Sequence, residues 1–167
     1  MQTKNIYTYP VEREHITRII TTEAPAHISY TNKEGVRRDL TNAIDFLCEN
    51  GTPVKAALDG VVIALMDNVT RNYSGYKFPS EDVLPENELD GNYVIIQHEN
   101  GEYSIYSHLG YKEILVEVGQ KVSKGDLLGY VRNTGWSIGD HLHFMVFIYT
   151  NPPSRDFKSL EIRWDKK

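Results

Sequence analysis

Short apolar runs, separated by glycine and proline every few residues, are the feature that most constrains this fold. Residues 93–98 and 102–108 are strand-like runs rich in tyrosine, valine and isoleucine, and a Glu-Asn-Gly turn at 99–101 separates them. Residues of these types favour strands, and a short Asn-Gly connection is typical of a β-hairpin. The chain is therefore expected to contain a hairpin here and to fold mainly as β structure.

Four further apolar runs predict strands, at residues 61–65, 114–118, 127–132 and 142–149. Glycines and prolines punctuate these runs at short intervals, which is typical of all-β domains. The single helical candidate is a short turn near residues 40–42. Helices are therefore expected to contribute almost nothing to the fold.

A weak internal repeat relates residues 51–62 to residues 119–129. Each part has a glycine, a short polar turn, a valine and then a glycine-marked corner that leads into an apolar strand. Paired elements of this kind fit two packed layers built from related halves. The expected fold is an antiparallel β-sandwich with two related halves, of the duplicated hybrid motif type.

The length of 167 residues is enough for one domain with a small appendage. Residues 1–22 are predicted to form an N-terminal arm, and residues 23–167 a single β domain. Residues 30–38 look like an inserted hairpin with a polar tip, and residues 67–91 like a long polar loop that carries several aromatic side chains. A loop of that length is commonly functional, so a substrate-lining role and a simple solvated loop both stay open.

Composition narrows the range of functions. The formal net charge is −5 and no basic patch is evident, so nucleic acid is not an expected partner. No apolar run approaches the ~20 residues of a membrane span, and the first residues lack the pattern of a secretory signal. Cys48 is the only cysteine, so an internal disulfide and a cysteine-rich zinc site are excluded, and we expect this thiol to pack as a small apolar group.

Residues 133–144 are the most informative about function, because a glycine-rich loop there leads into two histidines, His141 and His143. On a strand this spacing of two places both imidazoles on one face, roughly 7 Å apart at a rise of ~3.3 Å per residue. One imidazole can then bind a metal while the other faces the group that the metal activates. An isolated pair of this kind more often has a structural or solvated role, so the motif needs support from elsewhere.

Asp45 is the candidate carboxylate ligand. It lies between Ile44 and Phe46, and an unpaired carboxylate in apolar surroundings is costly unless a cation neutralises it. A catalytic zinc site has three protein ligands and one open position, and the expected set here is two imidazoles and one carboxylate. A single carboxylate leaves the site net positive, which lowers the pKa of a bound water toward ~7.

Several ordered motifs resemble the lysostaphin/LytM-type zinc metallopeptidases over about residues 24–150. The matching motifs lie at residues 51–62, 92–96, 106–109, 118–126 and 133–144. The resemblance implies an antiparallel β fold with a narrow groove, a bound Zn²⁺, and hydrolysis of peptide bonds in peptidoglycan stem peptides or cross-bridges. It also suggests an extracytoplasmic location, and because no export signal is visible the compartment stays open.

The resemblance implies roles for individual residues. Asp45 and His143 take the positions of zinc ligands. His108, within the run at residues 106–109, and His141 take the positions of the pair beside the zinc. That pair orients the attacking water and stabilises the oxyanion of the tetrahedral intermediate.

The first zinc histidine is absent from its usual position, four residues before the aspartate, where this chain has Thr41. One explanation is that His27 is the ligand and that the hairpin at residues 30–38 displaces it in sequence, since a hairpin returns its ends to nearby points. The other explanation is that the ligand is lost and the domain is a catalytically inactive relative that binds wall peptide or a partner hydrolase. The zinc affinity of a His27→Ala variant distinguishes the two.

Overall fold

The computed structural model describes residues 1–78 and 85–166, and strands dominate this part of the chain. Helical structure in it is limited to three short 3₁₀ turns, at Arg13–His15, Glu86–Glu88 and Glu99–Gly101. None of the described residues belongs to a helix long and apolar enough to cross a membrane. The strands, numbered in chain order, are β1 Ile16–Ile20, β2 Ser29–Thr31, β3 Arg37–Asp39, β4 Ile44–Cys48, β5 Pro53–Lys55, β6 Gly60–Met66, β7 Asn92–Gln97, β8 Tyr103–Leu109, β9 Lys121–Val122, β10 Leu127–Tyr130, β11 His141–Tyr149 and β12 Phe157–Ser159.

Ten of these strands form one mixed sheet in the order β2-β3-β12-β11-β8-β7-β6-β9, with β4 added beside β11 and β1 beside β4. The other two strands, β5 and β10, pair with each other. All pairs are antiparallel except β3 with β12, which is parallel. The prediction of a mainly β fold is confirmed, and the relation between two halves stays a prediction. Cys48 is buried, as expected for a thiol that packs as an apolar group.

The strand predictions agree with the structure at most positions. The hairpin predicted across residues 93–108 is the pair β7–β8, joined by the turn at Glu99–Gly101. The runs at residues 61–65 and 142–149 lie in β6 and β11, and residues 127–132 contribute the shorter β10. Short apolar runs bounded by turn residues therefore predict these strands correctly.

The strand predicted at residues 114–118 is wrong, because no strand ladder forms there. Leu115 N–H donates to Leu128 C=O at 2.9 Å, and the segment otherwise runs between two turns. Val116 is buried and Ile114 packs against the main apolar cluster, whereas Leu115 and Val118 are 53% and 61% exposed. A short apolar run therefore marks an extended segment even where no neighbouring strand pairs with it.

The alternating side chains of β11, in the middle of the large sheet, separate the core from the opposite face. Leu142, Phe144 and Val146 are completely buried in the main apolar cluster. His141 and His143 point to the other face, because neighbouring residues on a strand alternate sides. Burial of the core face fixes this register, since a slip by one residue would bring the histidines into the apolar cluster.

The residues of the predicted N-terminal arm pack onto the sheet. β1 pairs with β4, and Tyr7 is completely buried, with its hydroxyl donating to Glu102 Oε2 at 2.9 Å. The buried Glu102 carboxylate also accepts from Asn5 Nδ2 at 2.9 Å and from the backbone N–H of Lys4. The boundary at residue 22 stays a prediction, and these contacts tie the arm to the domain.

Candidate metal centre

Two neighbouring strands bring Asp45 and His143 to the same point. In the antiparallel pair β4–β11, Asp45 lies directly opposite His143, and Asp45 Oδ1 is 2.9 Å from His143 Nδ1. Both residues face away from the main core, because the adjacent Phe46 and Phe144 are buried on the other side of the sheet. Strand register alone therefore places these two side chains together.

His27 reaches the same point from the loop before the β2–β3 hairpin. Its Nε2 atom is 3.1 Å from Asp45 Oδ1, and its ring centroid is 5.3 Å from that of His143. The other ring nitrogen, Nδ1, donates to the backbone oxygen of Thr21. Because a carbonyl oxygen only accepts, Nδ1 keeps its proton, so Nε2, which faces Asp45, is the ring nitrogen that a metal can bind.

Closure of the hairpin explains how a histidine distant in sequence comes close to Asp45. Leu40 N–H donates to Ile28 C=O at 3.0 Å, so the chain leaves and rejoins the domain at neighbouring points. Thr41, at the usual position of the first histidine, is exposed, and its hydroxyl donates to Asp39 Oδ1 at 2.6 Å. The hairpin thus separates the first histidine from Asp45 in sequence without separating them in space.

The donor atoms of His27, Asp45 and His143 fit a divalent metal ion. They all lie within 4.8 Å of one another, and the three residues are at most 9% exposed. A tetrahedral zinc ion with bonds of ~2.1 Å holds its ligand atoms roughly 3.4 Å apart. Two of the separations here are 2.9 and 3.1 Å, so small adjustments suffice. Imidazole nitrogen and carboxylate oxygen are also donors that zinc accepts readily.

His141 and His108 complete one side of this centre. His141 Nε2 is 3.6 Å from Asp45 Oδ1. Between ring centroids, His108 is 4.8 Å from His141 and 5.9 Å from His143. All five residues singled out from the sequence therefore lie together in the folded chain.

Backbone oxygens set the tautomers of His141 and His108. Nδ1 of His141 donates to Gly139 C=O at 3.0 Å, and Nδ1 of His108 donates to Thr134 C=O at 2.7 Å. Since a carbonyl oxygen offers no proton in return, each neutral ring keeps its Nε2 lone pair available. Both rings can therefore accept a proton at Nε2.

His108 has a backbone conformation that is rare for a residue with a side chain. Its φ is +66°, in the left-handed region, which costs a non-glycine residue on the order of 1–3 kcal/mol. Two backbone hydrogen bonds hold it there: His108 N–H donates to Asp90 C=O at 2.8 Å, and Arg132 N–H donates to His108 C=O at 3.0 Å. Such strained residues concentrate at functional sites, and the position of His108 agrees with that tendency.

Burial and mutual contacts set the charges of the metal-free centre. Burial by itself would raise the pKa of Asp45, but hydrogen bonds with His143 and His27 hold that pKa well below its usual range. Burial lowers the pKa of His108 to about 3, and burial also lowers the pKa of His141. Burial acts to lower the pKa of His143 too, yet its hydrogen bond with Asp45 raises that pKa overall. At neutral pH an ionised carboxylate therefore faces neutral His108 and His141, the state required for proton acceptance.

Sequence reasoning missed Asp90 and Arg38, which lie beside the centre. Asp90 Oδ1 accepts from Ser107 Oγ at 3.1 Å, and Asp90 Oδ2 is 3.3 Å from Arg38 Nη2. Arg38 Nη1 donates to Glu86 Oε1 at 2.9 Å. Burial acts to raise the pKa of the Asp90 carboxyl, but Arg38 holds it below its usual range. The one sequence signal for this network is that its charged members fall in the two stretches recognised as insertions.

A cavity of about 340 Å³ opens on the centre. Its floor is formed by Asp45, His108, His141 and His143. Apolar side chains make up much of its walls, among them Ile20, Ala24, Leu47 and Ile138. A concave, largely apolar space above a few convergent polar groups is the usual form of a ligand site.

Most of the chain is similar in sequence to known proteins. Residues 39–154 match peptidase family M23. Peptidoglycan DD-endopeptidase ShyA of Vibrio cholerae is 39% identical over 111 residues, which are 66% of this chain and 21% of that protein. DD-carboxypeptidase/endopeptidase Mpg of Neisseria meningitidis is 32% identical over 113 residues, which are 68% of this chain and 21% of that protein. The chain thus spans a small part of the length of these curated relatives.

Solved structures show the same fold. A zinc containing peptidase from Vibrio cholerae aligns with a TM-score of 0.57 and 25% identity, over 94% of this chain and 40% of that one. The catalytic domain of lysostaphin from Staphylococcus simulans aligns with a TM-score of 0.50 and 24% identity, over 80% of this chain and 86% of that one, a likeness of fold alone. Because the family match covers most of the chain, the chain belongs to peptidase family M23, a metallopeptidase family in which its relatives include peptidoglycan endopeptidases.

Proposed function

We propose that this chain is a zinc-dependent endopeptidase that hydrolyses peptide bonds in peptidoglycan stem peptides or cross-bridges. The observation that carries the proposal is the convergence of His27, Asp45 and His143, whose donor atoms lie within 4.8 Å of one another. His108 and His141 lie beside that group at the floor of one cavity. Three ligands with an open side, next to two neutral imidazoles, are the arrangement that a hydrolytic zinc site needs.

His27, Asp45 and His143 would hold the zinc ion. When bound, the ion supplies a Lewis acid that polarises a peptide carbonyl and lowers the pKa of water. The protein contributes a buried and oriented set of donors, and the Thr21 carbonyl fixes the His27 ring by accepting from its Nδ1. Partners of this kind hold a ligand ring in place and set its tautomer.

His108 and His141 act on the protons of the reaction. Their Nε2 atoms are free, because their Nδ1 atoms donate to backbone oxygens. One ring accepts a proton at Nε2 from the attacking water, and the second ring orients that water by accepting its other hydrogen. The new N–H then stabilises the developing oxyanion and later gives its proton to the leaving amine.

The peptidoglycan substrate is inferred from the relatives. ShyA, at 39% identity, is a peptidoglycan DD-endopeptidase, and the match includes 21% of its length. The site adds a cavity of about 340 Å³ with apolar walls, which is of a size for one or two residues of a peptide. We therefore infer that this site also acts on peptidoglycan peptides.

A direct test combines metal content with hydrolysis. We expect about one zinc per chain in protein purified without chelators, and release of soluble fragments from purified peptidoglycan, identified by mass spectrometry. His143→Ala should abolish both properties. His15→Ala, at a half-exposed histidine outside the centre, should keep both. Undiminished hydrolysis by the His143→Ala protein would eliminate this mechanism.

The alternative is a catalytically inactive relative that binds wall peptide or a partner hydrolase through the cavity. The unusual place of the first histidine favours it, because His27 precedes the family-matched residues 39–154. This alternative predicts protein without stoichiometric zinc and no effect of His27→Ala on zinc affinity. Our proposal predicts that His27→Ala weakens zinc binding strongly, and titration with a competing chelator measures the difference.

A further inference from the structure

A second cavity, of about 250 Å³, lies on the same face of the large sheet as the metal centre. It is lined in part by Met145, Phe147 and Tyr149 of β11, the strand that also carries His143. Alternate residues of a strand share one face, and Val146, between two of these residues, is buried in the main apolar cluster on the other face. One strand therefore supplies residues to both the metal centre and the second cavity.

The distance between the two sites follows from the geometry of β11. Phe147 and Tyr149 lie four and six residues beyond His143, which at ~3.3 Å per residue is roughly 13 and 20 Å. An extended peptide covers that distance with about four to six residues. Arg38 and Asp90 line both the second cavity and a smaller space of about 30 Å³ that touches His143. A ligand that leaves the metal centre along this face therefore reaches the second cavity.

Aromatic rings form much of the wall of the second cavity and pack against one another. Tyr93, Phe147, Tyr149 and Phe157 line it. Between ring centroids, Phe147 is 5.5 Å from Tyr149 and 5.3 Å from Phe157, and Tyr103 stacks on Phe147 at 5.6 Å. Phe147 is 3% exposed whereas Tyr149 is 37% exposed. The buried ring therefore anchors the group, and the Tyr149 ring is accessible to a ligand.

The charged side chains around the second cavity are already paired. Arg38 contacts Glu86 at 2.9 Å and Asp90 at 3.3 Å, and Arg155 forms an ion pair with Glu34. Every charged residue that lines the cavity within the described part of the chain thus has a partner of opposite charge. Because binding sites tend to complement the charge of their ligands, this lining favours a neutral polar ligand over an ion.

Three neutral polar groups are left to bind such a ligand. The hydroxyls of Tyr93 and Tyr149 and the side-chain amide of Asn87 line the cavity, and within residues 1–78 and 85–166 they have no hydrogen-bond partner. Hydroxyl and amide groups both donate and accept hydrogen bonds. Aromatic surface with free polar groups at its edge suits a ligand that has apolar faces and a polar rim.

We propose that the second cavity binds one sugar ring of the glycan strand whose stem peptide is cleaved at the metal centre. A pyranose ring has two faces of C–H groups, which leave water when they stack on an aromatic ring. Its hydroxyl and acetamido groups lie at the rim and meet the free groups of Tyr93 and Asn87. The stem peptide joins the sugar to the cross-link, so it covers the distance between the two sites. This inference deepens the proposed function and rests on it.

The test compares hydrolysis of one stem peptide with and without its attached disaccharide. We expect the disaccharide to lower KM by at least about threefold and to leave kcat unchanged, because the second cavity lies away from the cleaved bond. Tyr149→Ala should abolish this advantage and leave hydrolysis of the free peptide unchanged. Tyr149→Phe keeps the ring and should keep most of the advantage. Tyr111→Ala, at an exposed tyrosine outside the cavity, is the matched control and should keep all of it.

Asn87→Ala is an independent variant on the polar side of the cavity and should reduce the advantage of the disaccharide. Thermal unfolding of each variant verifies that the fold is intact. Equal KM values for the two substrates would overturn the inference, and so would an unchanged advantage in correctly folded Tyr149→Ala and Asn87→Ala proteins. A third substrate carries two alanines in place of the disaccharide. An equal gain from these alanines would show that the cavity binds peptide, which also overturns the assignment to a sugar.

Binding of a soluble oligomer of N-acetylglucosamine separates this inference from the proposed function. The probe carries no peptide, and NMR signals of the tyrosine rings report its binding. Shifts that are lost in Tyr149→Ala, in a protein that hydrolyses no peptide, would support the sugar site and refute the peptidase. Hydrolysis of stem peptides without such shifts and without an advantage of the disaccharide would support the peptidase and refute the sugar site.

Discussion

Replacing Glu102 with alanine tests how the first 22 residues relate to the domain. The Glu102 carboxylate is 2% exposed and accepts hydrogen bonds from the Tyr7 hydroxyl, the Asn5 side chain and the backbone of Lys4. Hydrogen bonds to a charged group contribute about 1.5–3 kcal/mol each, and a buried hydroxyl left without a partner costs about 1–3 kcal/mol. Because these contributions are not additive, we expect Glu102→Ala to lower the free energy of unfolding by about 3–5 kcal/mol.

Urea unfolding, followed by circular dichroism and by tryptophan fluorescence, measures this change. With a slope of about 2 kcal/mol per molar urea, the midpoint should fall by roughly 2 M. Tyr7→Phe removes one donor and should cost about 1–2 kcal/mol, and the double variant should cost less than the sum because the two groups interact directly. Glu99→Ala, at an exposed position in the same turn, is the matched control and should change little.

A loss of less than about 1 kcal/mol in Glu102→Ala would refute the reasoning. It would mean that the buried carboxylate contributes nothing beyond its own desolvation cost. The first residues would then behave as a separable arm, and limited proteolysis near residue 22 would remove them without unfolding the domain. A single cooperative transition at the lower midpoint is the outcome that the contacts predict.

Three further predictions concern pH and metal. Burial lowers the pKa of His98 below its usual 6.5, so on acidification the unfolded chain takes up the proton first and zinc-free protein loses stability. The urea midpoint should fall less between pH 7 and pH 5 in His98→Gln than in the unmodified protein. An equal fall in both proteins would contradict this prediction. Burial raises the pKa of Tyr106 from 10.0 to about 12. The stability that the neutral Tyr106 hydroxyl contributes is therefore complete below pH 10 and is lost as the pH rises to about 12. Tyr106→Phe should flatten that alkaline decline, and a decline of the same depth would count against the assignment. Zinc at a hundred times its dissociation constant should add about 2.7 kcal/mol to the free energy of unfolding. Asp45→Ala should show no such gain in scans with and without EDTA, and an equal gain would place the metal elsewhere.

The sequence was most informative where one local pattern decides the outcome. The apolar residues of β11 alternate with His141 and His143, and burial of one face forces both histidines onto the other. The same argument applies to Asp45 beside Phe46 in β4. Two strands of this type paired side by side then bring the carboxylate and the imidazoles together.

Prediction failed where the outcome depends on contacts between distant segments. Residues 114–118 form an apolar run like that of a strand, but pairing requires a neighbouring edge that the sequence pattern does not reveal. The network of Arg38 and Asp90 exists because the β2–β3 hairpin folds back beside the loop before β7. The left-handed backbone of His108 likewise depends on hydrogen bonds with Asp90 and Arg132, which are remote in sequence.

Closure of the β2–β3 hairpin has a consequence for how such domains are recognised. When donor atoms are sought by their spacing along the chain, His27 escapes notice, although its Nε2 atom lies 3.1 Å from Asp45 Oδ1. A hairpin whose two ends lie next to each other can be inserted between two donor residues without changing the distance between their donor atoms. Inventories of active and inactive members should therefore compare the positions of donor atoms in three dimensions.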